Sequence, residues 1–249
     1  MELGIQGKTA IVTGGTQGIG LEIVRALAAE GAAVAFCDLK DAAGSAAAKS
    51  LQAEGRRVFY QHCDVGSETE INAFYQAALA ALGPADILVN NAGISPKTAF
   101  DDISAEELQT VLQVDLMGAF FFAQAVIPHM CKQRWGRIIN LSSMAGRFGA
   151  NKAGAHYAAA KAGLLGLSLS LAKKLGPSNI TVNCVAPGRI DTDLTRVLPE
   201  GVKEELRQAI PLGRFGKASE VASVVAFLSS EQASYVSGAC IDVLGAYIA

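Results

Sequence analysis

Thr13-Gly14-Gly15-Thr16-Gln17-Gly18-Ile19-Gly20 follows the apolar, β-branched run Lys8–Thr13 and opens directly into the helical pattern Ile19–Glu30. Small residues between a strand and a helix let backbone N–H groups approach a pyrophosphate, and the partial positive charge at the helix N-terminus favours the anion. A glycine-rich turn alone is weak evidence, but the strand before it and the helix after it are the context that phosphate binding requires. The turn therefore presents Gly14, Thr16, Gln17, Gly18, Ile19 and Gly20 to a dinucleotide.

Further along, β-rich runs alternate with helical patterns: Ala33–Asp38 then Ala42–Glu54, Val58–Cys63 then Glu68–Leu82, Asp86–Asn90 then a helical stretch from about Ala105 to Arg134. Arg137–Leu141, the helix Tyr157–Leu175, Ile180–Val185 and a last strand near Ala239–Leu244 complete the series. Repeated βαβ units predict the α/β class, a doubly wound parallel sheet of about seven strands with helices on both faces. One domain spans 1–249, and its ligands belong at the carboxyl ends of the strands. Between Pro187 and Pro211 the alternation breaks around a short helical pattern at Val202–Gln208. Residues 188–211 read either as a substrate lid or as an ordinary surface loop.

The chain has 249 residues, 51% of them hydrophobic, with 26 glycines, which suits buried parallel strands and close helix packing. A formal net charge of −2 leaves no broad basic surface, so nucleic acid and anionic membranes are disfavoured as partners. No apolar run reaches the roughly 18 residues of a spanning helix. The start Met1-Glu2-Leu3-Gly4 is unlike a signal peptide, so a soluble, cytoplasmic protein is expected. Cys37, Cys63, Cys131, Cys184 and Cys240 lack Cys-x-x-Cys or Cys/His spacing and read as buried free thiols, with no disulfide or metal site.

Asp38 ends the second strand, with Leu39 beside it, where an acid can bond both ribose hydroxyls of a nucleotide and repel a 2′-phosphate. The glycine turn holds no Arg or Lys, which favours NAD over NADP; Lys40, two positions beyond Asp38, is the countervailing cation. In the second half, Tyr157 and Lys161 lie four apart on one helix face, about 5–6 Å apart at Cβ. A phenol starts near pKa ~10 and a neighbouring cation favours phenolate, the direction general acid/base catalysis needs. By itself the pair is also what an amphipathic helix surface produces, and the preceding hydroxyl Ser143 and the nucleotide half tip the reading towards carbonyl chemistry.

Taken in order, Thr13–Gly20, Asp64-Val65, Asn90-Asn91-Ala92-Gly93, Ser143, Tyr157-x-x-x-Lys161 and Pro187-Gly188-Arg189-Ile190-Asp191-Thr192 give a chain that resembles the short-chain dehydrogenase/reductase family over essentially its whole length. The resemblance implies a Rossmann fold, a nicotinamide cofactor, and hydride transfer between its C4 and a carbinol carbon. It implies that Asp64 and Val65 frame the adenine, that Asn91 and Gly93 line the adenosine ribose side, and that Pro187, Ile190 and Thr192 border the nicotinamide carboxamide. Tyr157 becomes the general acid/base, Ser143 the hydrogen-bond donor to the substrate oxygen in preference to Ser142, and Lys161 the cation that assists Tyr157 and binds the nicotinamide ribose.

Val114-Asp115-Leu116 departs from the pattern, placing an acid where many relatives have a catalytic Asn. Two readings stay open: Asp115 holds water near Lys161 and tunes the pH dependence, or it bonds only neighbouring backbone. The Leu244-Gly245-Ala246 run replaces a common Asp-Gly-Gly in a segment that helps build a subunit interface, against an expected homotetramer or homodimer. Tyr157–Leu164 looks like the 3-oxoacyl-carrier-protein reductases. These usually prefer NADPH and dock an acidic carrier through basic residues, of which Arg134 remains while Ser178-Asn179 fills a site often basic.

The expectation is accordingly an NAD-linked dehydrogenase of a small or medium-sized secondary alcohol, with the NADPH-dependent 3-oxoacyl-carrier-protein reductase as the alternative. A non-catalytic NAD-binding regulatory protein, or more remotely a methyltransferase, is the rival from another class. Ser95, Met144 and Arg189 are the expected substrate contacts, with Arg147, Phe148, Lys152, His156 and Leu194 near them; Arg147, Lys152 and Arg189 could meet an anionic substrate.

Overall fold

Apolar residues that alternate between two helical layers organise the chain around one sheet. In β1 (Thr9–Thr13), Ala10 and Val12 face one core while Ile11 faces the other. In β2 (Ala33–Asp38), Val34 and Phe36 join the first core and Ala35 and Cys37 the second. Successive side chains in a strand point to opposite faces, so a strand covered on both sides must be apolar throughout.

The computed structural model describes residues 2–149, 153–192, 195 and 199–247. Its main sheet also contains β3 (Val58–His62), β4 (Ile87–Asn90), β5 (Gly136–Leu141), β6 (Ile180–Pro187) and β9 (Cys240–Val243). The order is β3-β2-β1-β4-β5-β6-β9, and every pairing is parallel. A separate two-stranded pair joins β7 (Ile190–Asp191) to β8 (Gly216–Lys217). The chain moves outward from β1 to β3, returns to β4 beside β1, and then moves outward the other way. That reversal opens a crevice over the ends of β1 and β4, the place where such sheets bind ligands.

One face is covered by α1 (Gly18–Ala29), α2 (Asp41–Ala53) and α9 (Ala218–Leu228), through Ile23, Leu27, Leu51, Val221 and Val225. The other is covered by α3 (Glu68–Leu82) and α5 (Gly118–Gln133) through Ile71, Phe74, Phe122, Val126 and Met130, with Leu175 at the end of α7 (Ala155–Leu175). The seven main strands match the sequence expectation; α9 and the short α6 (Met144–Phe148) add two helices to it.

The stretch expected as one helix from about Ala105 to Arg134 is divided. α4 (Ala105–Leu112) passes through a π-helical turn, Gln113–Met117, into α5, which stops where Arg134 takes the left-handed φ of 57°. By length and composition this run could cross a membrane, but its inner face is the core contact of α5. In the segment 188–211, α8 (Glu200–Gln208) and β7 are described, whereas 193, 194 and 196–198 lie outside the described residues. Cys37, Cys63 and Cys184 are buried free thiols, and Cys131 and Cys240 are half-buried free thiols.

The amino ends of the strands are tied to the segment after α9 by Arg137, whose side chain is fully buried. Its Nε donates to Ser230 O at 3.1 Å, Nη1 donates to Gly136 O at 2.9 Å, and Nη2 donates to Glu231 Oε2 at 3.4 Å. The guanidinium lies 4.4 Å from the centre of the Trp135 ring, and the Trp135 Nε1 donates to Glu231 Oε1 at 2.6 Å. Arg137→Met leaves two carbonyls and a carboxylate without this donor and should lower the unfolding free energy by about 3 kcal/mol in urea titration. Glu231→Gln, at a side chain 51% exposed, should cost under about 1 kcal/mol, and equal losses would contradict this account.

Candidate active site

The glycine turn is held open by neighbouring backbone. Gly14 adopts φ +65°, and a Cβ there would lie 2.9 Å from the Ala92 Cα. A Cβ on Gly20 would lie 2.0 Å from the Gly14 carbonyl oxygen, so α1 can begin this close to β1 only with glycine. Thr13 Oγ1 accepts from the N–H groups of Asn91 and Ala92 at 3.0 Å, and Asn91 Nδ2 donates to the carbonyls of Thr13 and Gly14 at 3.0 Å. The Asn91 amide therefore braces the turn. α1 starts with no side-chain cap and no acid in its first turn. Its N-terminal N–H groups and dipole thus remain available, and the turn fits a bound pyrophosphate.

At the end of β2 the Asp38 carboxylate is engaged: Oδ2 accepts from Thr16 Oγ1 at 2.7 Å and from Thr16 N at 3.4 Å, and Oδ1 accepts from Lys40 N at 3.3 Å. Lys40 Nζ reaches back to donate to Gln17 Oε1 at 2.6 Å, laying an exposed ammonium across the glycine turn. Leu39 is exposed beside them. Asp64 Oδ1 accepts from Gly66 N at 2.8 Å, shaping the bend after β3, and Val65 is buried there.

Ser143 follows β5, caps α6 and is buried. Its Oγ accepts from Ala145 N at 3.1 Å, which leaves the hydroxyl proton free to be donated outward. Ser142 has the opposite arrangement, its Oγ donating to Lys161 O at 2.8 Å, so it fastens β5 to α7. Tyr157 is half-buried, and Lys161 Nζ lies 5.8 Å from the centre of its ring. Lys161 Nζ also donates to Leu141 O at 3.0 Å and lies 3.0 Å from Asp115 Oδ1.

Asp115 sits in the π-helical turn, where the extra residue per turn redirects a side chain inward. Its Oδ2 accepts from Ile94 N at 3.0 Å, so it meets both the neighbouring backbone and Lys161. Burial raises the Asp115 carboxyl above its ordinary range, opposed by Lys161 and the Ile94 N–H. Gly93 covers the pair: a Cβ on it would lie 2.5 Å from Asp115 Oδ1 and 3.0 Å from Lys161 Nζ. The adjacent His156 is turned away, buried against α4 with Nε2 2.9 Å from Glu107 Oε1.

Ser95 is exposed and Met144 half-buried near the same strand ends, and Phe148 is 39% exposed. Arg147 is paired with Asp242 at 3.1 Å, whereas the half-buried Arg189 lies 5.9 Å from the centre of the Tyr247 ring. Lys152 and Leu194 lie outside the described residues. Pro187 ends β6, Ile190 is buried in β7, and the Thr192 methyl lies 3.6 Å from where a Cβ on Gly18 would be, bringing the Pro187–Thr192 segment to the glycine turn. Three features of the site are absent from the sequence reading: the Leu141 carbonyl, the cover formed by Gly93 and the reach of Lys40 to Gln17. Only Lys40 had a signal, its place two residues after Asp38. Among the described residues no group of three or more His, Cys, Asp or Glu could hold a metal ion.

The family described as enoyl-(acyl carrier protein) reductase matches residues 14–246. The 3-oxoacyl-[acyl-carrier-protein] reductase FabG of Aquifex aeolicus is 43% identical over 246 residues, covering 98% of this chain and 99% of that protein. The crystal structure of a 3-oxoacyl-[acyl-carrier protein] reductase from Brucella melitensis superposes with a TM-score of 0.92 at 34% identity, over 100% of this chain and 94% of that one. A short-chain dehydrogenase/reductase from Serratia marcescens gives a TM-score of 0.91 at 36% identity, over 98% and 99% of the two chains.

The reductase names overturn the expected preference for NAD over NADP, because the resemblance drawn from the sequence ties that subgroup to NADPH. The physical reason lies around Asp38: Thr16 and the Lys40 N–H occupy the carboxylate, and the Lys40 ammonium supplies the cation that the glycine turn itself lacks. Fold, ordered motifs and relatives agree that this chain belongs to the short-chain dehydrogenase/reductase family and is an oxidoreductase.

Proposed function

We propose that this protein is an NADPH-dependent ketoreductase that converts a 3-oxoacyl thioester, presented on an acidic acyl carrier, to the 3-hydroxyacyl thioester. The observation that carries the reading is the arrangement at the end of β5: Ser143 keeps its hydroxyl proton free, while Lys161 is held near the Tyr157 ring. The names of the relatives favour this reading over a general secondary-alcohol dehydrogenase.

The reduced nicotinamide, when bound, supplies the hydride. Ser143 donates to the ketone oxygen and stabilises charge as it develops there. Tyr157 passes its phenolic proton to that oxygen, so ketone, hydride and proton become the alcohol, and the phenolate is reprotonated from solvent. Lys161 stabilises the phenolate while it exists and offers a donor to the nicotinamide ribose. The N-terminus of α1 and the Thr13–Gly20 turn hold the pyrophosphate, and Lys40 with Gln17 faces the adenosine 2′-phosphate. Thr192 and Ile190 border the carboxamide, Asp64 and Val65 the adenine, and Met144, Ser95 and Arg189 the acyl chain.

Exposed Arg134, Lys173 and Lys174, at the ends of α5 and α7, provide positive charge for an acidic carrier. Exposed Met117 and Phe120 on the Ala105–Gln133 run provide apolar surface for a homodimer or homotetramer of a cytoplasmic enzyme. The segment 188–211 would close over the substrate as a lid.

NADPH consumption with a short 3-oxoacyl thioester tests the activity. Tyr157→Phe should lower kcat at least about 10³-fold while NADPH binding, followed by fluorescence, stays unchanged. Substantial residual turnover would remove Tyr157 from the role, and tight cofactor binding without turnover in the parent would favour the regulatory protein. Lys40→Ala should raise KM for NADPH about tenfold and leave KM for NADH unchanged, as expected for one lost charge-assisted contact. An equal change for both cofactors would place the 2′-phosphate elsewhere.

A further inference from the structure

We infer that Asp115 is a positioning residue that sets the pH range over which this site reduces a ketone, by balancing the Lys161 ammonium so that the Tyr157 proton is retained for donation. The inference rests on the reductase reading and deepens it. Its basis is a direct ion pair: Lys161 Nζ lies 3.0 Å from Asp115 Oδ1, between side chains only 5% and 0% exposed.

The contact is built into the fold on three sides. The π-helical turn carries the carboxylate inward, the Ile94 N–H donates to its other oxygen, and Gly93 leaves no Cβ to separate the charges. An amide at the same position could receive the Ile94 N–H equally well, so the backbone bond does not require an acid. What the acid adds is negative charge against the ammonium. Water is largely excluded from both groups, and the attraction is stronger there than at a surface.

An ammonium has three donors. In Lys161 one goes to Leu141 O and one faces Asp115, which leaves one for a ribose hydroxyl. A lysine with no opposing charge stabilises a nearby phenolate with its full positive charge. Here the carboxylate cancels part of that field at the phenol oxygen. Reduction needs Tyr157 protonated, whereas alcohol oxidation needs it ionised, so the ion pair acts on the proton that both directions depend on.

The other charged or titratable groups are few. Lys161 faces Tyr157 from its own helix and Cys184 from β6; Asp115 faces His156 from α7, which is itself paired with Glu107 of α4. None of them substitutes for the carboxylate at 3.0 Å from the ammonium. His156 and Glu107 form a separate contact that the Asp115→Asn change leaves in place.

The test compares pH profiles of kcat/KM for reduction and for oxidation in the parent, Asp115→Asn and Asp115→Ser. Removing the charge should move the alkaline limb of reduction, and the rising limb of oxidation, to lower pH by about one pH unit in both variants. Superimposable limbs with turnover retained would overturn the inference and leave the ketoreductase reading intact.

Should no thioester or ketone be turned over, the ketoreductase reading fails, and the inference is read without turnover. Phenolate ultraviolet absorbance, taken as the difference between each form and its Tyr157→Phe counterpart, should then rise at lower pH in the Asp115 variants. Coincident titrations would overturn the inference. The Asn and Ser forms differ in volume but share the loss of charge, so an effect seen in only one of them would assign the change to packing and overturn it as well.

Discussion

A sheet covered on both faces leaves a ligand little room except at the strand ends. Because β1, β2 and β3 run outward one way and β4, β5, β6 and β9 the other, the strand ends on either side of the reversal form one crevice. Everything chemical in the protein follows from that constraint. The glycine turn leaves β1, Asp38 leaves β2, Asp64 follows β3, Asn91 and Gly93 follow β4, Ser143 follows β5 and Pro187–Thr192 follows β6, all at the same edge.

Within the crevice, charge is placed by backbone as much as by side chains. The α1 N-terminus provides positive potential without a cation, and the absence of an acid in its first turn preserves it. Lys161 is held by the Leu141 carbonyl, and its charge is met by a carboxylate carried inward on a π-helical turn. A buried ion pair contributes little net stability once both ions have been desolvated. Its value here is better understood as control of the proton on the neighbouring phenol.

Periodicity makes the main strands and most of the helices legible, because burial on both faces produces continuous β-branched runs bounded by glycine and polar turns. α9 escapes it: its apolar residues Val221, Val225 and Leu228 form a short run whose start is marked only by Glu220, which accepts from the Lys217 N–H at 2.7 Å, and the helix packs against α1. The π-helical turn is invisible for a different reason. Inserting one residue into a helical ladder leaves composition and apolar spacing almost unchanged, so Asp115 stands out as unusual while its direction stays hidden. Asp38 misleads through its partners, since an acid at the end of β2 looks the same whether a ribose or Thr16 bonds it.

Spacing along the chain was enough for the fold class, for the glycine-rich turn between β1 and α1, and for the order in which Ser143, Tyr157 and Lys161 follow it, because spacing maps directly onto strand, turn and helix face. It took the folded arrangement to show which of two adjacent serines keeps a free proton, that Lys40 reaches Gln17, and that Asp115 touches Lys161. Those depend on distances between residues remote in sequence, and hydrogen bonds and ion pairs act over a few ångströms that no local pattern specifies.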